Sequence, residues 1–423
     1  MANQNRNKRP DGRKKATRSS EKHSSETRYA GSSASVTAGR HIAKFNKKYR
    51  ENSKTLTGEI DYTFLSIVVL MVSFGLVMLL SASAPAASNI YNGDSYGFFK
   101  KQLVFVVVGL LGMWFVSRIN YNRYKKYVPL FMLACVFMLV LVAIPFIGKS
   151  INGSRRWLPI PGIQIQPSEF MKPAIAMFFA YQIEQGKRDL KTIAGNLPYV
   201  GWIFLVMVLM LLEPHLSGAI IIAGIGIVLM VSGGTPVKPL VIGGFVLGVI
   251  LVFGVYQLSP VRWNRIMSFL NPFGDVQNTS YQITQGLYAI GSGRIFGLGL
   301  GQSVQKYSYL PEPYNDFIFA VICEELGLIG AAAVICLFIV LIVRAMRIAL
   351  NAPDTYSMLV GIGIVAQIAI QTTMNIAVAT SSMPNTGVSL PFFSYGGTAI
   401  MTLLLEMGVL LNISRYSKHN VKL

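Results

Sequence analysis

Long apolar runs recur along this chain, and they limit its fold more than any other feature. About ten runs, each close to the ~20 residues that an α-helix needs to cross a bilayer, follow one another between residues 62 and 413. No segment alternates cleanly between apolar and polar residues, as membrane β-strands do. Only 13% of the residues are charged, roughly half the fraction that is usual in a soluble domain. The sequence therefore predicts an all-α, polytopic membrane protein.

Loop charges predict how the helices are oriented. We place the helices near residues 62–82, 103–118, 127–147, 169–183, 198–212, 215–232, 239–256, 315–343, 357–380 and 397–413. With the N-terminus inside, the short cytoplasmic loops are dense in Lys and Arg, as the positive-inside rule requires. Ten helices then return the C-terminus to the cytoplasm and leave a large outer loop, 257–314, between helices 7 and 8.

Composition divides the chain into three parts. Residues 1–58 are rich in Lys, Arg and Ser, and we predict a disordered, basic cytoplasmic tail. The tail could bind anionic lipid or a partner, or could act only as a topology anchor. The membrane domain spans 59–415, and 416–423 form a short cytoplasmic tail. The net charge is +20, but the basic tail lacks a folded module, so we predict no nucleic-acid binding. The spacing of the three cysteines indicates neither a disulfide nor a zinc site.

The segment 305–330 contains the best candidate for a catalytic group. Pro311 and Pro313 prevent a helix before them, and Asn315-Asp316 is a favourable N-cap for the long apolar helix that follows. Asp316 would then lie where a water-facing loop enters the membrane. The positive end of the helix dipole would keep its carboxylate ionised, which suits a general base. The alternative is that Asp316 only caps its helix.

Several cations are predicted on the outer side, where positive charge works against insertion and often has a use. They are Arg155, Arg156, Lys172, Arg262 and Lys306. Such groups could bind an anionic phosphate, or they could be ordinary solvated loop charges. Glu169 and Lys172 are three residues apart on one helix, so they could also form an ion pair with each other.

Polar residues inside the predicted helices have two interpretations. Glu324 and Glu325 either line a polar cavity or form a hydrogen-bonded structural pair. Gln367, Gln371 and Asn375 recur every fourth residue, which puts them on one helix stripe and favours hydrogen bonds to neighbouring segments. Glu406 is a further isolated carboxylate in the last helix.

Motifs along residues 60–415 resemble those of the shape, elongation, division and sporulation (SEDS) family of bacterial membrane proteins. These motifs are Arg156-Trp157, Gln166 to Lys172, a Gln- and Gly-rich stretch at 281–302, Tyr309 to Asp316, and the loop at 384–397. One position departs from the family pattern, because His215 stands in Glu213-Pro214-His215 where family members usually have Asp.

The resemblance implies a peptidoglycan glycosyltransferase that joins lipid II donor and acceptor into β-1,4 glycan at the outer leaflet, with inversion. Asp316 takes the place of the family's catalytic aspartate. The residues that we predict to bind substrate are Arg155, Arg156, Trp157, Gln166, Glu169, Lys172, Arg262, Gln285, Ser292, Lys306 and Ser394.

The resemblance also implies partners and a location in the bacterial cell membrane. The partners would be a class B penicillin-binding protein, which is a transpeptidase, and other membrane proteins of the division complex. The wording of the Asp316 motif favours the division or sporulation branch over the elongation branch. A divalent cation, Mg²⁺ or Mn²⁺, could shield the pyrophosphate, although no ligand cluster is readable. Two other functions stay open, a lipid II flippase and a non-catalytic scaffold.

Overall fold

The computed structural model describes residues 58–417, apart from residues 145, 147, 152–153, 161–162, 187, 245–247, 249–259 and 279. The predicted basic tail therefore lies outside the described residues, except for residue 58, and so do residues 418–423. The predicted seventh helix falls largely outside them as well, although residues 237–244 at its start are helical.

Helices make up most of the described structure. They are α1 (Tyr62–Ile90), α2 (Gly97–Arg118), α3 (Tyr121–Lys125), α4 (Val128–Ala143), α5 (Pro167–Glu184), α6 (Ile193–Leu212), α7 (Leu216–Ser232), α8 (Pro260–Leu270), α9 (Tyr281–Ser292), α10 (Ile318–Leu350), α11 (Thr355–Ala379) and α12 (Gly397–Arg415). Side-chain caps fix several starts. Asp61, Thr192 and Asp354 each accept a hydrogen bond from a backbone N–H of the first turn, which satisfies a donor that the helix itself leaves open.

Six of the described helices are long and apolar enough to cross a membrane, namely α1, α2, α6, α10, α11 and α12. Two shorter apolar helices, α4 and α7, accompany them. α5 is more polar, because Glu169, Lys172 and Glu184 lie within its 18 residues. The predicted polytopic, mainly helical fold is confirmed, whereas the count of ten spans stays a prediction.

The all-α prediction is wrong for residues 149–165, where three short strands form an antiparallel sheet in the order β1 (Lys149–Ile151), β2 (Ser154–Ile160) and β3 (Ile163–Ile165). The strands are too short to show a clear period-2 pattern in the sequence. β2 carries Arg155, Arg156 and Trp157. Because side chains alternate along a strand, Arg156 points to the opposite face from its two neighbours.

α11 and α12 form the centre of the bundle. In their most apolar 18-residue windows, 72% of α11 and 78% of α12 are buried, against 22% of α2. α11 packs against α5, α7 and α10, and α12 packs against α2. Polar side chains on α11 and α12 therefore face protein, while most of α2 faces the surroundings of the bundle.

α10 is broken at Gly327, whose φ of 66° and ψ of −165° are not helical. A Cβ at this position would lie 2.3 Å from the backbone nitrogen of Gly297, so a glycine is required. The backbone groups that the break frees are paired with the 294–299 segment: Leu298 N donates to Glu324 O, Gly299 N to Glu325 O, Leu328 N to Arg294 O and Ile329 N to Ile295 O. The predicted continuous helix at 315–343 is thus two helical parts that the 294–299 segment joins.

Candidate active site

Asp316 lies in a tight turn just before α10 and is partly exposed. The N-cap of α10 is Phe317, so the helix begins later than the predicted Asn315-Asp316 cap. The turn begins with a hydrogen bond from Asn315 N to Glu312 O of 3.0 Å. Phe317 is fully buried and anchors the helix start.

The backbone around Asp316 is attached to the 384–396 loop. Tyr395 N donates to Tyr314 O at 2.9 Å, and Ser394 Oγ donates to Asn315 O at 2.6 Å. Ser394 Oγ also accepts a hydrogen bond of 2.7 Å from Leu390 N. The hydroxyl that we predicted to bind substrate is thus engaged with two backbone groups and holds the turn in place.

Gly387 in the same loop lies directly against the Asp316 side chain. A Cβ at Gly387 would be 3.2 Å from Asp316 Oδ2, and its φ of +68° favours glycine. Ser217 Oγ, at the start of α7, donates to Gly387 O at 3.4 Å. The loop therefore forms one wall beside the carboxylate.

Gly387→Ala tests this wall. The added methyl group presses on Asp316 Oδ2 and strains a left-handed backbone position, so we expect polymerising activity to fall by about 10²-fold, the usual result of a ~1 Å displacement of a catalytic group. The measurement is glycan synthesis per folded molecule. Gly186→Ala is a control with the same backbone strain (φ +61°) and no atom within 4 Å of its Cβ. Equal activity loss in both variants would contradict the prediction.

Glu169 and Lys172 form the predicted ion pair, with Lys172 Nζ 2.8 Å from Glu169 Oε2. Lys172 Nζ also donates to Gln371 Oε1 at 3.1 Å. Gln371 Nε2 in turn donates to Ser389 O at 3.0 Å. Glu169, Gln371, Ser389 and Ser394 all line a cavity between α5, α11, α12 and the 384–396 loop. A buried, charged network therefore supports this loop from within the bundle.

Arg156 lies over the turn that joins α6 to α7. Its Nη2 donates to Pro214 O at 2.5 Å. Neighbouring Glu213 is fully buried, and neither of its carboxylate oxygens has a hydrogen-bond partner among the described residues. Burial raises the pKa of Glu213 to about 8, against the opposing effect of Arg156. Burial likewise holds the pKa of His215 well below its usual value, helped by the positive charges of Arg156 and Lys172. His215 is therefore neutral at physiological pH.

Glu213 should make the stability of the protein depend on pH. The folded pKa of Glu213, about 8, lies above the ordinary 4.5, so the folded protein keeps a proton that the unfolded chain releases between these two pH values. The free energy of unfolding is therefore highest below about pH 4.5 and falls as the pH rises to about 8. We expect Glu213→Gln to be more stable than wild type at pH 7 by about 3 kcal/mol, and the difference to shrink as the pH falls. Thermal unfolding of both proteins between pH 4.5 and 8 measures it. Parallel pH curves would refute this assignment.

Lys306, which the sequence predicts to bind substrate from the outer loop, is engaged inside the protein instead. Its ammonium is buried and lies 2.8 Å from Glu325 Oε1. Glu325 also accepts from Ser81 Oγ of α1 at 2.7 Å. Glu324 accepts from Ser303 Oγ at 2.5 Å and from Val304 N at 3.0 Å. The interpretation of the two glutamates as a hydrogen-bonded structural pair is confirmed, and Lys306 belongs to that network.

The other predicted substrate residues are scattered. Arg155 and Trp157 are partly buried on β2, and Gln285 is partly buried on α9. Ser292 is exposed, and its hydroxyl donates to Ala289 O. Gln166 Nε2 donates to Ser168 Oγ at 3.1 Å. The side chain of Arg262 lies outside the described residues. The structure therefore places Glu169, Lys172 and Ser394 in or beside the network that supports the 384–396 loop, and Arg156 at the turn that joins α6 to α7. It adds Gly387, which belongs to the 384–397 motif but was not among the predicted site residues.

Within the part of the chain that the structure describes, no three His, Cys, Asp or Glu side chains are grouped as metal ligands.

Known proteins match this chain over most of its length. The family model FTSW_RODA_SPOVE, described as "Cell cycle protein", matches residues 62–419. The stage V sporulation protein E of Bacillus subtilis (strain 168) is 41% identical over 360 residues, which cover 85% of this chain and 98% of that protein. A probable peptidoglycan glycosyltransferase FtsW of Trichlorobacter lovleyi is 40% identical over 357 residues, which cover 84% and 93% of the two chains.

A solved structure supports the same relationship. A chain from work on the structural coordination of polymerization and crosslinking by a peptidoglycan synthase complex has a TM-score of 0.71 at 26% identity, and the match covers 84% of this chain and 98% of that one. Sequence motifs, fold and relatives agree, and the chain belongs to the FtsW/RodA/SpoVE family.

Proposed function

We propose that this protein is a peptidoglycan glycosyltransferase that polymerises lipid II into β-1,4 glycan strands. The observation that carries the proposal is the setting of Asp316. Asp316 is partly exposed and lies just before the N-cap of α10, and its backbone is held against the 384–396 loop. A general base needs this combination of access and fixed position. Homologues that are named probable peptidoglycan glycosyltransferases support the assignment.

The proposed reaction is a single displacement. The 4-hydroxyl oxygen of the acceptor sugar attacks the anomeric carbon of the donor, and the bond to undecaprenyl pyrophosphate breaks. Asp316 takes the hydroxyl proton, and the leaving group takes the electron pair of the broken bond. Arg156 and Lys172 supply positive charge near the developing pyrophosphate anion. Inversion turns the α-linked donor into a β-linkage. Glu312, a nearby second carboxylate, accepts from Asn315 Nδ2 at 3.0 Å, a structural contact that favours one displacement over a covalent intermediate.

We also propose that the reaction takes place on the outer side of the bacterial cell membrane. In this topology about ten helices cross the membrane, 257–314 form the large outer loop, and both termini are cytoplasmic. The charge distribution supports it, since in this topology Arg118, Arg123 and Arg188 fall in short loops on the opposite side from Asp316.

The proposed partner is a class B penicillin-binding protein that crosslinks the new glycan, together with other membrane proteins of the division complex. The structural neighbour from a peptidoglycan synthase complex supports this. A role in division or in sporulation fits the relatives, which include both an FtsW and a stage V sporulation protein. Lipid II would be both donor and acceptor.

A reconstituted assay separates this function from its two rivals. The full chain and its cognate transpeptidase are placed in liposomes with fluorescent lipid II, and both glycan length and lipid II transfer between leaflets are measured. Glycan strands without transfer support the polymerase. Transfer without strands would identify a flippase. The absence of both activities would indicate a non-catalytic scaffold.

A further inference from the structure

One amide side chain in the bundle centre reaches the catalytic turn directly. Asn375 is fully buried on α11, and its Nδ2 donates to Asp316 O at 2.8 Å and to Val388 O at 2.6 Å. The other two amides of the same stripe bind elsewhere, Gln371 to Ser389 and Gln367 to Glu406. Among these three, Asn375 is the one that contacts the backbone of the proposed base.

The two acceptors of Asn375 belong to Asp316 and to the 384–396 loop beside it. Asp316 O belongs to the residue that carries the base. Val388 follows Gly387, whose backbone lies against Asp316 Oδ2. A single amide thus donates to the backbone of the base and to the backbone of the loop beside it, and fixes the two segments relative to each other. Because the amide projects from a buried helix, its own position is well defined.

Asn375 also completes a series along the chain. Tyr314 O, Asn315 O and Asp316 O each accept a hydrogen bond, from Tyr395 N, Ser394 Oγ and Asn375 Nδ2. The first two donors come from the 384–396 loop, and the third comes from a helix. Asn375 therefore ties the turn to a buried helix as well as to the loop.

We propose that Asn375 is a positioning residue for the glycosyl transfer, which sets the distance between the Asp316 carboxylate and the Gly387 backbone. This inference rests on the proposed function. Asn375→Ala leaves the carbonyls of Asp316 and Val388 without this donor, while Asn375→Asp places a carboxylate oxygen against them. Both changes release the base without altering it.

Asn412 provides a matched control. It is also fully buried, on α12, and it also holds two backbone groups of a distant segment: its Oδ1 accepts from Tyr121 N at 3.1 Å and its Nδ2 donates to Ser117 O at 2.9 Å. These contacts lie at the opposite end of the bundle from Asp316. Asn412→Ala therefore removes the same chemistry at a place that the proposed reaction does not use.

The experiment compares the full-length wild type, Asn375→Ala, Asn375→Asp and Asn412→Ala with the cognate transpeptidase. We expect both alanine variants to lose thermal stability to a similar extent. In Asn375→Ala, kcat per folded molecule should fall about 10- to 100-fold with KM changed less than about twofold, and the acidic limb of the kcat–pH profile should shift. Asn412→Ala should keep both kcat and that limb, and Asn375→Asp should be at least as impaired as Asn375→Ala.

Hydrogen exchange measures the positioning itself, whatever the reaction. Peptides covering 310–318 and 385–390 should exchange faster in Asn375→Ala than in Asn412→Ala. Unchanged exchange in these peptides, or an equal loss of kcat in the two alanine variants, would overturn the inference. Faster exchange with a wild type that makes no glycan would uphold the positioning and reject the proposed function instead.

Discussion

Asp316→Asn should lower glycan synthesis by about 10²- to 10⁴-fold, the range in which a general base contributes. Asparagine has nearly the same shape, so its contact with Gly387 and the hydrogen bonds to the turn backbone stay in place. It cannot take the acceptor proton. Asp316 lies before the N-cap of α10, and because asparagine keeps the size of the side chain, thermal stability should change little. Strand synthesis from labelled lipid II, normalised to folded protein, measures the effect.

Two further variants sharpen this result. Asp316→Glu keeps the charge but adds a methylene to a side chain that already lies close to Gly387, where a Cβ would be 3.2 Å from Asp316 Oδ2, so it should also be strongly impaired. Glu312→Gln removes the neighbouring carboxylate, which is bound to Asn315, and should retain most activity. Substantial synthesis by Asp316→Asn, with wild-type folding, would remove Asp316 from the mechanism.

Lys306→Met should destabilise the protein by about 3–5 kcal/mol, because it leaves the buried Glu325 carboxylate without its counter-ion. The side chains of Lys306 and Glu325 are only 3% and 0% exposed. The double variant Lys306→Met/Glu325→Gln removes both charges and should recover much of the loss. Thermal unfolding in detergent measures all three proteins. Lys100→Met is the control, since its ion pair with Asp94 lies at the surface and its removal should hardly change stability.

The double variant carries the decisive comparison. If it were as unstable as Lys306→Met, the damage would come from lost packing or from the hydrogen bonds of Lys306 to Ser81 Oγ and Gly301 O, and the ion pair would not be the cause.

The sequence predicts those features that depend on near neighbours along the chain. Glu169 and Lys172 are three residues apart on one helix, so their side chains meet whatever the rest of the fold. Gln371 and Asn375 are four residues apart, so their side chains leave the helix on the same face. The apolar runs predict the long helices for the same reason, because each satisfies its backbone within itself.

Features that depend on distant contacts are not predictable in this way. Lys306 lies in a long outer loop and is predicted to bind substrate, but that loop folds back onto Glu325, 19 residues later. The Asn315-Asp316 pair predicts the start of α10, yet the buried Phe317 is the N-cap. Gly327 looks like any other glycine in an apolar run, and only the approach of 294–299 gives it its role. One amino-acid sequence read by itself does not show which distant segments contact each other.

The break in α10 has a mechanical consequence. The long part after Gly327 carries many exposed apolar side chains, such as Leu328, Ile339 and Val340, and will tilt when the bilayer becomes thinner or thicker. In an unbroken rod that tilt would travel straight to the end that bears Asp316. Here the helix axis is interrupted at Gly327, and the 294–299 segment is hydrogen-bonded to both sides of the break, so the load of such a tilt is shared with that segment before it reaches Asp316.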